Sequence, residues 1–131
     1  MARVEAALYT ILSGDVTITA QTSNRIYPDT LPQDCILPAL TYFRVSTIRE
    51  EAMGTDPGRA TARFQISVWS TSAFTSGTIA DLVRTALHRH IGVHAGVTIT
   101  DLAIENEIAT YDYDTEEHQI AMDFLIQHVE I

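Results

Sequence analysis

Lysine is missing altogether. The 8 basic residues are all arginines, and they face 17 acids for a net charge of -9. Without lysine there is no Walker-type phosphate loop, whose lysine meets the terminal phosphates, and no Schiff-base chemistry. The arginines are scattered, so no basic stripe exists to displace counterions from a nucleic-acid backbone, and the acidic excess disfavours DNA. The single cysteine, Cys35, excludes an intrachain disulfide and suits a reducing compartment. No apolar run approaches the length of a membrane span. The leading MARVEAALYTIL carries Glu5 and lacks a small-residue cleavage site, so it reads as a helix rather than a secretory signal. Proline is scarce and concentrated: of 4 in the chain, Pro28, Pro32 and Pro38 fall within RIYPDTLPQDCILPALTYFRVS, residues 25–46.

The 131 residues suit one domain, 1–131, and with 46% apolar residues spread along the chain they suffice for a core. Val4, Ala7, Leu8, Ile11 and Leu12 recur at helical spacing, with Gly14 as a stop, which predicts a helix over 3–13. Residues 15–24 fit either a strand or a short helical turn. Tyr27 precedes Pro28 and is pushed towards extended structure. Residues 39–48 are β-branched and aromatic. Residues 60–70 alternate, with Ala62, Phe64, Ile66 and Val68 on one face and Arg63, Gln65, Ser67 and Trp69 on the other. Pro38 stands at the start of the first of these strands, one of the few places a sheet tolerates proline. Between them, 49–59 is long for a hairpin loop.

Ile79, Leu82, Val83, Ala86, Leu87 and Ile91 predict a second helix ending at Gly92. Thr78 and Asp81 have capping-box spacing, and a start nearer Ser72 is also open. Residues 97–111 and 118–131 then read as two strands joined by acidic DYDTEE. The order favours an α+β fold: a mainly antiparallel sheet of four to five strands with two helices packed on one face.

Candidate chemistry is thin. In HRHIGVH, His88 and His90 would point apart on a helix, and Gly92 separates His90 from His94. Capping of a last turn therefore explains the cluster better than a metal does. YDYDTEEH lacks the glycine and final bidentate glutamate of a calcium loop and reads as a solvated hairpin tip. Cys35 lies between an acid and an apolar run, no setting for an activated thiolate, and no serine occupies a nucleophile elbow. Trp69 and Phe74 could bracket a ligand, although aromatics at a strand end more often belong to core or interface. Neither an enzyme, a cofactor nor a metal is expected. Trp69, on the polar face of its strand, suggests an interface aromatic, and Val129 and Ile131 at the C-terminus need cover.

The helix AALYTILSGD, then NRIYPDTLPQDCILPALTYFRVS, then RFQISVWSTS leading into IADLVRTALH, resembles the small tail-terminator (tail-completion, tail-to-head joining) proteins of long-tailed bacteriophages. Relatives occur in prophages and gene transfer agents. The resemblance covers about residues 5–125 and implies six copies closing into a ring that ends tail-tube polymerisation and joins tail to head. Its implied partners are further copies of itself, the major tail tube protein and head-neck connector proteins, with DNA passing but not specifically bound and no membrane. Its implied location is the virion tail or neck, after assembly in the host cytoplasm. With it, Arg49, Glu50, Glu51, Met53, Asp56 and Arg59 in the long loop become candidate contacts between subunits or rings, or a lining of the lumen. Two other readings stay open: a different neck or tail-completion ring subunit of related fold, and a small cytosolic dimeric ligand-binding α+β module.

Overall fold

A computed structural model describes residues 3–50 and 58–130. Three helices, α1 (Val4–Gly14), α2 (Val16–Thr22) and α3 (Ala73–Leu87), accompany six strands: β1 (Ile26–Pro28), β2 (Ala39–Glu50), β3 (Gly58–Ser70), β4 (Gly92–His94), β5 (Val97–Asp112) and β6 (Glu117–Glu130). They form one sheet in the order β1-β2-β3-β6-β5-β4, antiparallel except for the β1–β2 pair. The α+β class agrees with the sequence reading, but the counts do not. The third helix and two short edge strands lie in segments whose apolar residues are too few to carry a period.

α2 forms because Asp15 caps it. Its carboxylate accepts from the N–H of Thr17 at 2.9 Å and of Ile18 at 3.3 Å, satisfying donors that an opening helix leaves unpaired. The Thr17 hydroxyl most of all holds the Asp15 carboxyl below its ordinary range; burial opposes it, and the Ile18 and Thr17 N–H groups add to the lowering. Asp15→Ala should cost about 1 kcal/mol in urea unfolding, a helix-cap loss; an unchanged midpoint would show that packing alone holds α2.

The connection rich in proline carries the chain from β1 back to the start of β2, because these strands run parallel, with Ile26 beside Leu40. The Arg25 side chain ties it by donating to the Pro38 carbonyl at 3.0 Å. Pro38, whose bond from Leu37 is cis, stands one residue before β2 rather than inside it.

α3 begins at Ser72, whose hydroxyl accepts from the Thr75 N–H, so Thr78 lies within the helix instead of capping it. The helix ends at Leu87, before Ile91, which is 63% exposed. Arg89 adopts a left-handed φ of 62°, and its N–H turns to the Leu102 carbonyl on β5, which stops the helix a turn earlier than Gly92 would.

The core lies between helices and sheet. Phe64 faces Phe124 across β3 and β6, flanked by Ile66 beside Met122 and Ala62 beside Ile126, all fully buried. Val4, Leu8, Leu12, Ile18, Ile79, Val83 and Leu87 close it from the helical side. α1 touches both β1 and β4, the two outermost strands. A flat six-stranded sheet is about 24 Å wide, whereas a helix of 11 residues is only about 16 Å long. The sheet therefore curls around its helices.

Candidate functional site

The register sorts the sheet into two faces. Even-numbered residues of β3 and β6 point to the helices, and odd-numbered ones point away. Among the described residues no helix covers the second face, yet it is not simply polar. Phe43, Trp69, Ala103, Ala121 and Leu125 sit on it half-buried, and Ile48 and Ile108 stand exposed near its two margins. Thr41 and Ser67 are buried there, because their neighbours lean over them. The Trp69 indole N–H donates to the Thr41 hydroxyl at 2.9 Å, and the Gln65 and Gln119 amides donate to the Ser67 hydroxyl at 3.3 and 3.0 Å. This ladder satisfies the polar groups of the bare face and holds the Trp69 ring in one orientation.

Trp69 is half-buried rather than fully exposed, and it forms one wall of an open cleft of about 450 Å³ with Tyr111, Tyr113, Asp112, Asp114, Glu117 and Gln119. Phe74, 84% exposed on α3, belongs to the opposite side of the sheet and does not line this cleft. The two aromatics therefore bracket nothing together.

Of the candidate loop residues, Arg49 and Glu50 end β2 and Arg59 is the second residue of β3, with Arg49 beside Ala60 and Glu50 beside Arg59. The strands run further than their β-branched cores suggest, which shortens the connection to 51–57. Glu51, Met53 and Asp56 lie outside the described residues. Arg49 and Arg59 are exposed, and Arg63 further along β3 reaches towards Glu105 and Asp123 at 3.9 and 3.8 Å. Arginines thus gather at the β2–β3 end of the sheet, a grouping invisible in the linear order because the residues come from two strands.

The acids gather at the other end. Asp112, Asp114, Glu116 and Glu117 occupy the β5–β6 turn, where the Asp112 carboxylate accepts from the N–H groups of Asp114 and Thr115. That makes the segment the acidic hairpin tip read from the sequence. Glu105 to Asp112 are exposed on both faces, so this half of β5 lacks the apolar alternation of a strand covered by helices. This exposure is the feature the sequence reading missed, and ENEIATYD, with only scattered apolar residues, was its signal.

The histidine segment ties α3 to the β5 side. His88 accepts from the Ile104 N–H, Arg89 pairs with Asp101 at 3.1 Å, and the Nε2 atoms of His90 and His94 lie 2.7 Å apart, within hydrogen-bond distance. Burial first, and the His90 charge second, lower the His94 pKa below the ordinary imidazole value. Among the described residues no group of three or more histidine, cysteine, aspartate or glutamate side chains could hold a metal ion. Cys35 is half-buried, its thiol turned to the Ile36 carbonyl.

A family model described as "Tail completion protein gp17" matches residues 6–128. Among solved structures, a chain from "Virion of native gene transfer agent (GTA) particle" superposes with a TM-score of 0.78 at 19% identity, covering 97% of this chain and 95% of that one. A second solved chain, without a descriptive name, superposes with a TM-score of 0.59 at 14% identity, covering 98% and 94%. At these identities the likeness is one of fold. No curated protein matches the sequence.

Proposed function

Because this chain belongs to the tail completion protein gp17 family, a family of structural virion proteins, we propose that it is the terminator subunit that closes the tail tube and joins it to the head. It is a structural protein of the virion tail and neck. Six copies would form a ring on the last layer of tail tube protein, with the other rim meeting the head-neck connector. The observation that carries this reading is the family match over nearly the whole chain.

Physical character supports it. A net charge of -9 on a ring that DNA traverses suppresses phosphate contacts, because like charges repel and no counterions are released. A sheet face without helices, carrying an oriented tryptophan, offers a surface for a neighbouring ring. Within this reading Trp69 is an interface aromatic. Arg49, Glu50 and Arg59 at the end of the β2–β3 hairpin, with Glu51, Met53 and Asp56 between them in sequence, are contacts between subunits or rings.

The test is removal of the gene from its phage or prophage. Expected are filled heads without tails and tails of uncontrolled length, both corrected by supplying the chain in trans. Tails of normal length joined to heads in its absence would overturn the reading. Supplying Trp69→Ala instead should lower the yield of joined particles by about tenfold or more, a loss of some 1.4 kcal/mol or more at the contact. Its melting temperature should stay within a few degrees, because Trp69 lies outside the main core.

A further inference from the structure

The two outer margins of the sheet are each covered along part of their length. β1 pairs with β2 only at Leu40, Thr41 and Tyr42, and β4 pairs with β5 only at Val97, Thr98 and Ile99. Open stretches remain on β2 below Tyr42 and on β5 above Ile99. Phe43 is level with Gln65, Asp123 and Asn106, so the later part of β2 and the later part of β5 sit at diagonally opposite corners. Three successive antiparallel pairings separate β2 from β5, so the two margins run in opposite directions. Two copies set side by side in the same orientation therefore bring β2 of one against β5 of the next as an antiparallel pair.

We propose that residues 46–49 of one copy pair with residues 107–110 of the next, joining the sheets across the boundary between subunits of the ring. This deepens the ring reading and rests on it. Both stretches are uninterrupted, since the bulges fall between Arg44 and Ser46 on β2 and, on β5, between Ile99 and Asp101 and between Ile104 and Asn106. The faces agree as well. Ile48, 69% exposed, and Ile108, 53% exposed, are both on the bare face, whereas Arg49 and Glu107 are both on the helical face. Setting Ile48 opposite Ile108 puts Arg49 opposite Glu107, Thr47 opposite Ala109 and Ser46 opposite Thr110. Apolar then meets apolar and arginine meets carboxylate, the pairs that stabilise neighbouring strands.

Charge selects this join over its alternative. Two β5 margins brought together would oppose Glu105, Glu107, Asp112 and the acidic turn to their own copies, whereas the β2–β3 corner presents Arg49 and Arg59. Sheet margins that avoid pairing commonly carry charge or proline at their centre; here each centre carries an isoleucine. A join between two different margins is not satisfied within a dimer and repeats until it closes, which is how a ring is built.

The experiment uses chains carrying Cys35→Ser, incorporated into particles. Ser46→Cys together with Thr110→Cys, after mild oxidation, should give a ladder of cross-linked multimers on a non-reducing gel. Either cysteine alone should give at least tenfold less dimer. Adding Glu107→Arg should cut the ladder at least tenfold, and Arg49→Glu on top should restore it. Ile48→Cys with Ile108→Cys, expected to give the same ladder, serves if the first pair unfolds the chain. Dimers formed readily by Thr110→Cys alone would overturn the proposal in favour of a two-fold join. A chain that stays uncross-linked with both pairs, while negative-stain images still show rings on tails, would overturn the join and leave the ring reading standing. Tails without rings would overturn both.

Discussion

Phe64→Ala should lower the stability of this protein by about 3–5 kcal/mol, the cost of losing a buried ring and leaving a partly collapsed cavity. Phe64 is fully buried on the central strand β3, opposite Phe124 on β6, and the Arg44 guanidinium lies 5.1 Å from its ring centroid. The backbone on either side is held in strand pairings, so little can move to fill the gap. Domains of this kind hold about 5–15 kcal/mol in total, so the variant should sit near the edge of folding, with a melting temperature lower by on the order of 10 °C. Phe64→Leu, which keeps much of the volume, should cost about 1–2 kcal/mol. Urea unfolding of both variants measures this. A loss below about 1 kcal/mol for Phe64→Ala would mean that the sheet and helices do not share one core.

Removing the Arg44 side chain should have the next largest effect, and it should depend on pH. Arg44, on β2, reaches across to α1 and pairs with Glu5 at 2.8 Å while Arg3 holds the same carboxylate at 3.2 Å. Burial alone would raise the Glu5 pKa, but the hydrogen bonds from Arg44 and Arg3 outweigh it and hold the pKa at about 2. A carboxyl with a depressed folded pKa contributes stability that is complete above its unfolded value, near 4.5, and is lost as pH falls towards about 2. That difference caps the contribution at about 3 kcal/mol. The Glu5 side chain is 32% exposed, and solvent screening brings the expected value down to about 1–2 kcal/mol.

Arg44→Met should therefore cost about 1–2 kcal/mol at pH 7, and the gap between variant and wild type should narrow as pH drops from 4.5 towards 2. Other carboxylates titrate in the same window, so the difference between the two chains is the measured quantity. A gap that stays constant with pH would show that Arg44 acts by packing on Phe64 and not by its charge.

Both predictions depend on contacts between segments far apart in the chain, and that is where the sequence reading stopped. The apolar period of Val4 to Leu12 was enough to mark α1, since five residues at helical spacing leave one way to bury them. The alternation from Ala62 to Val68 marked β3 and even which face would meet the core. α2 escaped because Val16 and Ile18 fit two periods equally, and its deciding feature is a side chain, Asp15, folding back on the N–H groups of its own helix. β4 escaped because a strand of 3 residues has no period to read, and β1 was legible only as an extended piece before Pro28; each is a strand only as the partner of a longer one. The end of α3 was misplaced for a similar reason, since its stop is set by the pairing of Arg89 with Leu102 on a strand that comes later in the chain.

The same division runs through the surface. Composition and hydropathy pattern, which are local properties, determined the α+β class, the acidic character unsuited to nucleic acid, the core face of β3 and the acidic tip of the last hairpin. Order and spacing of RIYP, Leu37-Pro38 before β2 and FQISVWS before α3 were sufficient to indicate the family. What the tertiary structure decided is which residues share an edge. Ile48 and Ile108, and Arg49 and Glu107, are separated in the sequence by dozens of residues and in the sheet by β3 and β6. Their matching faces and opposite directions come from strand order and from three bulges, one on β2 and two on β5, each of which shifts register by one residue and so decides which face a side chain takes. Pairings of that kind depend on the whole sheet being assembled, because hydrogen bonding between strands is blind to their distance along the chain.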